Sequence, residues 1–384
     1  MSAVLQMPET DTETPIGESR AAMLDAVRMI ANGPLAAMVE EIDRVGTYPE
    51  AVMRALGKAG AYRAQTSLDG KPDFVAAIQA ISEVSRVCGA TGFMMWCQAA
   101  CTLYMEQSGN PALSGEALER HVSGDSLGGT ALSNPMKAMT GIEQMLLKAE
   151  KVAGGYVVNG TLPWVSNLGR GHYFGGAATV VDPDGPTHEI MFMVPCDDSA
   201  IELRECPSFA GMEGTGTWGV RFCDFFVSAD RVIADPVRPF LEKVRASFIL
   251  LQVGMGLGVT QGAIGTMWDV EQQLGHVNQF LDERPADLQA ELDALTERTF
   301  ALARQIEAGD KVSLLDVLDV RAHASELALR SAQSALLHQG ARGYLLSSSV
   351  QRRVRESHFV AIVTPALKHL RREMAKLSNP VTPS

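Results

Sequence analysis

At 384 residues, with 46% hydrophobic and 20% charged side chains, the chain has a globular composition and enough length for two or three cooperating units around a large core. Its 33 basic and 45 acidic residues leave a formal charge of −12, which argues against nucleic acid and against an anionic membrane surface as partners. Six cysteines over this length, with no secretory signal, fit reduced buried thiols better than a disulfide framework.

Residues 1–15 are acidic and Thr-rich and read as a disordered leader. The longest apolar run, Phe248 to Val259, contains Gln252 and three glycines and falls short of the about 20 residues that a membrane helix needs. A cytoplasmic protein is the expectation. Cys97 and Cys101 share a helical face, but no His or second Cys pair stands at zinc-ligand spacing, so they read as core and no metal site is expected.

From Ile16 to Gly128 the periodicity is helical. Met23, Val27 and Ile30 recur at i, i+4 and i+7, and Ile78, Ile81, Ser82 and Ser85 continue such a stripe. Pro49 near the start of one run and Gly60 near its end follow the usual punctuation of helices. An N-terminal all-α domain over 16–128 is expected.

Between 129 and 236 the period shortens. Ala177 to Val181 and Glu189 to Val194 flank the turn cluster Asp182 to Pro186, the pair Gly154-Gly155 joins two further strand-like runs, and Val220, Phe222, Asp224 and Phe226 alternate with other residues. The reading is a central β-barrel-like domain. Helical periodicity returns over 237–384 in four blocks, Arg245 to Leu274, Pro285 to Ala308, Leu314 to Gln339 and Ser348 to Leu377, which predict an antiparallel four-helix bundle. The expected fold class is α+β multidomain, in the order α, β, α.

Pro163-Trp164-Val165-Ser166-Asn167 carries the strongest chemical signal. An aromatic plane followed two residues later by a hydroxyl suits the edge of a flavin, where the indole shields one ring face and the Ser166 backbone and hydroxyl reach a ring nitrogen. Taken alone, the same residues also describe a buried Trp and a turn serine.

The order Ala131-Leu132-Ser133-Asn134-Pro135, Trp164-Val165-Ser166-Asn167, Gly340-Ala341-Arg342-Gly343-Tyr344 and Arg355-Glu356 resembles the acyl-CoA dehydrogenase superfamily over nearly the whole chain after the leader. In that family a Thr-Glu-Pro segment, a Trp-Ile-Thr/Ser-Asn segment, a Gly-rich turn and an Arg-Asp pair recur in this order. The resemblance implies a homodimeric or homotetrameric FAD-dependent oxidoreductase whose β-domain carries the flavin ring, beneath the C-terminal helices. Leu132 and Ser133 then meet the pyrimidine edge, Trp164, Val165 and Ser166 flank the ring, and Gly340 lets backbone approach the dinucleotide phosphates.

The departures from that pattern are as informative. The segment Met136-Lys137-Ala138-Met139-Thr140 replaces a small, Gly- and Ser-rich stretch, and Gln272 to Val277 lacks the expected phosphate-binding Arg, which leaves FMN or a reduced flavin supplied by a reductase as alternatives to FAD. Thr364 and Phe248 stand at the two places where family members put the carboxylate that removes the substrate's α-proton, and Ile249 replaces an accompanying Arg. His358 becomes the candidate catalytic base, while His369 reads as a solvated helix residue. The expected function is therefore flavin-dependent oxidation of a small or medium organic substrate, with an electron-transfer partner or flavin reductase. The alternatives are a two-component reduced-flavin monooxygenase and a non-catalytic ligand-binding homologue.

Overall fold

The computed structural model of the chain describes residues 16–181 and 186–379, so the leader expected over 1–15 and most of the turn after Val181 lie outside the described residues. Helices α1 (Ile16–Ile30), α2 (Ala36–Arg44), α3 (Glu50–Lys58), α4 (Phe74–Val87), α5 (Gly89–Gln107) and α6 (Glu116–Val122) come first. Pro49 is the N-cap residue of α3, and the Asp73 carboxylate accepts the Ala76 N–H at 2.8 Å at the head of α4, satisfying a donor that no helical carbonyl reaches. Helix α5 is buried along nearly all of its length, so its apolar residues do not confine themselves to one stripe. It forms the floor on which the sheet sits.

The strands are β1 (Gly128–Thr130), β2 (Lys148–Val152), β3 (Gly155–Val165), β4 (Tyr173–Val181), β5 (His188–Pro195), β6 (Ile201–Arg204), β7 (Trp218–Ser228) and β8 (Val232–Ala234), with the short helix α7 (Ser133–Met139) after β1. They form one sheet in the order β6-β7-β3-β2-β4-β5-β8, with β1 beside β4. The barrel-like expectation is corrected here. Closure needs the two end strands to pair, and among the described residues β6 pairs only with β7 and β8 only with β5, so the sheet stays open.

Its two faces are both apolar. Along β5, Ile190, Phe192 and Val194 enter a cluster made within the β-region, whereas Met191 and Met193 enter the helical core. The alternation expected along β7 breaks at Asp224, which has a positive φ of 56° and exchanges two hydrogen bonds with Asn159 across a register shift. Beyond this bulge the inward residues become Phe225 and Val227, and Phe226 faces outward.

The C-terminal region consists of α8 (Val237–Asn278), α9 (Pro285–Glu307), α10 (Leu314–Gln339), α11 (Ser349–Ile362) and α12 (Leu367–Ser378). The fourth block of the expected bundle is thus two helices, because Pro365 has no N–H to donate and pushes Thr364 away from helical backbone angles. Within α8 every residue from Phe248 to Val259 is buried. Its glycines make that possible: a Cβ at Gly254 would stand 2.7 Å from the Ile78 carbonyl, one at Gly258 2.2 Å from that of Ser82, and one at Gly256 2.9 Å from the Ala324 Cβ. α4 and α10 therefore close on this helix directly. By length and composition alone Arg20–Arg44 and α8 are apolar enough to cross a bilayer, but α8 is mostly buried inside the protein as its central helix.

Of the cysteines, Cys88, Cys97, Cys101 and Cys196 are buried, with thiols pushed up by burial, while Cys206 is half-buried and Cys223 exposed, contrary to the expectation that all six are core.

Candidate functional site

A cleft of about 370 Å³ opens between the sheet, α5, α7, α8 and the α11–α12 junction. It brings together Leu132, Ser133, Trp164, Val165 and Ser166, along with Thr364 and Phe248. Gly340 and His358 are not among its lining residues. Gly340 caps the end of α10 with a φ of 60°, and His358 is exposed on α11.

Two strand ends aim these residues. β1 delivers Leu132 and Ser133, and its start is fixed by Gln98, whose Oε1 accepts the Gly128 N–H at 2.8 Å while its Nε2 reaches the His121 and Ser126 carbonyls. The end of β3 delivers Trp164 to Ser166. Asn167 anchors that end: it adopts the left-handed conformation (φ 65°), donates through Nδ2 to the Gly128 carbonyl at 2.7 Å and accepts from the Tyr48 hydroxyl at 2.6 Å. The sequence offered Asn167 as part of a motif without a task. Its tolerance of positive φ was the available signal.

The walls are apolar, with Phe93, Trp96, Leu162, Phe248 and Phe359, and the polar groups are mainly hydroxyls. Ser133 Oγ lies 2.9 Å from Thr364 Oγ1, and Ser166 Oγ lies 2.7 Å from Thr217 Oγ1. Trp164 is 60% exposed, with Phe209 edge-on to its ring at 6.3 Å between centroids. A large indole standing out over an apolar slot is a platform for a flat ring. The lining holds one carboxylate, Glu143, and one amine, Lys137, which pair at 2.6 Å. The hydrogen bond from Lys137 holds the Glu143 carboxyl below its usual range.

Thr364 is fixed from behind. Gln252 Nε2 donates to its carbonyl at 3.1 Å, and Arg321 Nε donates to Gln252 Oε1 at 2.6 Å. Arg321 also donates to the Val360 carbonyl at 2.7 Å and to the Ser325 hydroxyl. Burial brings the Arg321 guanidinium down to about 9, with no carboxylate paired to it among the described residues.

A second cavity, about 200 Å³, shares Leu132, Met136 and Phe248 with the cleft. Met136 and Met139 of α7 stand in its wall, as the bulk of the Met136 to Met139 segment suggests. At its far side His369 is buried, not solvated, with Nε2 3.2 Å from Thr140 Oγ1 and its imidazole pushed down by burial.

Family models for the acyl-CoA dehydrogenase N-terminal domain and C-terminal domain match residues 17–125 and 257–364, together more than half of the chain. A probable acyl-CoA dehydrogenase, FadE25, of Mycobacterium tuberculosis is 24% identical over 357 residues, covering 90% of this chain and 91% of the relative. The mitochondrial isovaleryl-CoA dehydrogenase of Oryza sativa subsp. japonica is 24% identical over 293 residues, covering 74% and 71%. Among solved structures, butyryl-CoA dehydrogenase from Megasphaera elsdenii superposes with a TM-score of 0.84 at 18% identity over 97% of this chain and 100% of its own. A KijD3 solved with FMN and a dTDP-linked amino-keto sugar gives 0.80 at 18% over 97% and 96%. The chain belongs to the acyl-CoA dehydrogenase family, and it is an acyl-CoA dehydrogenase-like flavoprotein by that membership.

Proposed function

We propose that the protein holds a flavin ring in the cleft beside Trp164 and oxidises a small or medium organic substrate without the carboxylate base of its relatives. The observation that carries this reading is the lining itself. Thr364 and Phe248 face the cleft at the two places where the family resemblance puts that carboxylate. Among the described residues the one carboxylate in the cleft's lining, Glu143, is ion-paired to Lys137, and of the two in the neighbouring cavity's lining, Glu242 and Glu373, the latter is ion-paired to Lys376.

The residues suit the ring: an exposed indole supplies a stacking face, Ser133 and Ser166 supply hydrogen-bonding edges, and Val165 and Leu132 exclude water. When bound, the flavin supplies two-electron redox chemistry, and the protein's part is binding, orientation and exclusion of solvent. Met136 and Phe248 separate the ring site from the 200 Å³ cavity, where a compact substrate fits better than a long acyl thioester. The ring is common to FAD and FMN. FAD has a pyrophosphate to hold, for which the Gly340 turn of a neighbouring subunit is the candidate, whereas FMN has none.

Titrating the protein with FAD and FMN, and following the absorption band of the ring, tests the reading. Saturable binding of either with a perturbed spectrum is expected, and the absence of binding would overturn it. Oxygen uptake that requires a separate flavin reductase distinguishes the monooxygenase reading, and reduction of the ring by substrate in the absence of oxygen distinguishes the dehydrogenase reading.

A further inference from the structure

Behind Ser166 stand two more hydroxyls. Ser166 Oγ lies 2.7 Å from Thr217 Oγ1, Thr217 Oγ1 lies 2.8 Å from Thr215 Oγ1, and Thr215 Oγ1 lies 2.7 Å from the Met212 carbonyl oxygen. A carbonyl only accepts, so the single proton of the Thr215 hydroxyl goes to Met212. Thr215 must then accept from Thr217, and Thr217, its proton committed, must accept from Ser166. The chain of three hydroxyls has one direction. Thr215 is buried, and Met212, also buried, sits in left-handed backbone at φ 67°, so reversing the relay would strip the Met212 carbonyl of this donor away from water.

We propose that this relay locks Ser166 as a hydrogen-bond acceptor toward the cleft, and that the site thereby favours reduced over oxidised flavin. The inference rests on the reading that the cleft holds a flavin with its central ring nitrogen, N5, at Ser166. In the oxidised ring that nitrogen carries a bare lone pair; two-electron reduction with proton uptake gives it an N–H. An acceptor-only Ser166 opposes a lone pair and pairs with an N–H. Thr217 and Thr215 are then positioning residues that act through Ser166 without touching the ring.

The test is the ratio of dissociation constants for oxidised and reduced FMN, measured anaerobically, with the midpoint potential of the bound ring as an independent readout of the same ratio. Reduced FMN should bind the unmodified protein more tightly, by about threefold to tenfold, the value of one net hydrogen bond. Thr217→Val frees the Ser166 proton to point into the cleft, so the preference should collapse and the potential fall, whereas Thr217→Ser, which keeps the relay, should retain both. An unchanged ratio in Thr217→Val, with Trp164→Ala still weakening both redox forms, overturns the relay while leaving the flavin site intact. If Trp164→Ala weakens neither form, the flavin does not lie in this cleft and both readings fall together.

Discussion

The hydroxyls of Ser133 and Thr364 meet at 2.9 Å across 231 positions of sequence, closing the cleft between the start of α7 and the break that separates α11 from α12. One comes from the strand side and one from the helical side. Their contact ties the two halves of the site together at the position where a carboxylate is expected from the family.

Gln252 is the part of this arrangement most sensitive to change. Its Oε1 is one of three acceptors around the buried Arg321 guanidinium, and its Nε2 holds the Thr364 carbonyl. Gln252→Ala leaves a buried charge short of an acceptor and a carbonyl short of a donor, with an expected loss of about 2–5 kcal/mol. Urea unfolding measures it, and a loss below about 1 kcal/mol would show that water replaces the amide without penalty.

Trp164→Ala should separate binding from stability. Because the indole is 60% exposed, its removal opens no cavity, and the unfolding free energy should change by less than about 1 kcal/mol. Flavin affinity should nevertheless fall by tenfold or more, since a stacking face is worth about 0.5–1.5 kcal/mol beyond the area it covers. Fluorescence titration beside thermal unfolding of the same variant gives both quantities.

Stability should fall on mild acidification through His121. Burial brings its imidazole down to about 4, where Nε2–H donates to the Gln98 carbonyl and Nδ1 accepts from Tyr173. The unfolded chain binds the proton with the ordinary value of 6.5, so between 6.5 and 4 the unfolded state carries more protons and stability declines as pH falls. The full contribution is present above pH 6.5, and about 3 kcal/mol is lost by pH 4. His121→Gln should flatten this part of the profile. An unchanged slope would assign it to other groups.

The resemblance implies a dimer or tetramer, and the apolar run Phe248 to Val259 does not supply its interface, since that run is buried within one chain. Exposed apolar side chains stand instead at or just beyond the ends of α8 and α10, which Asn278 Nδ2 and the His338 carbonyl join at 3.2 Å: Phe280 follows α8, Leu337 lies in the last turn of α10, and Tyr344 and Leu346 come after it. Light scattering on Phe280→Glu with Leu346→Glu should show smaller particles than the unmodified protein, and equal sizes would place the interface elsewhere.

The α, β, α order was legible because periodicity shifts from 3.6 to 2 and back, a property of local sequence. Whether the sheet closes was not, since that depends on which strands end it. The break at Thr364-Pro365 was legible in Pro365, but the apolar rhythm from Ser348 to Leu377 runs through it and suggested one helix. Ser133 and Trp164 to Ser166 do meet in one cleft, whereas Gly340 and His358 lie outside its lining; nothing in a helical stretch tells which side a histidine will face once α10 is in place. Asn167, Gln252 and Arg321 hold the site through long-range hydrogen bonds that leave no pattern in the sequence.

Anaerobic stopped-flow mixing of the flavin-loaded protein with straight-chain acyl-CoAs tests the absence of a working carboxylate base most directly. A positioned base contributes about 10²–10⁴ in rate, so the flavin absorption should stay unbleached on the timescale of turnover, and Thr364→Glu should restore measurable bleaching. Rapid bleaching of the unmodified protein by these thioesters would contradict it, because some other group would then have to take the α-proton in a cleft lined by Thr364 and Phe248.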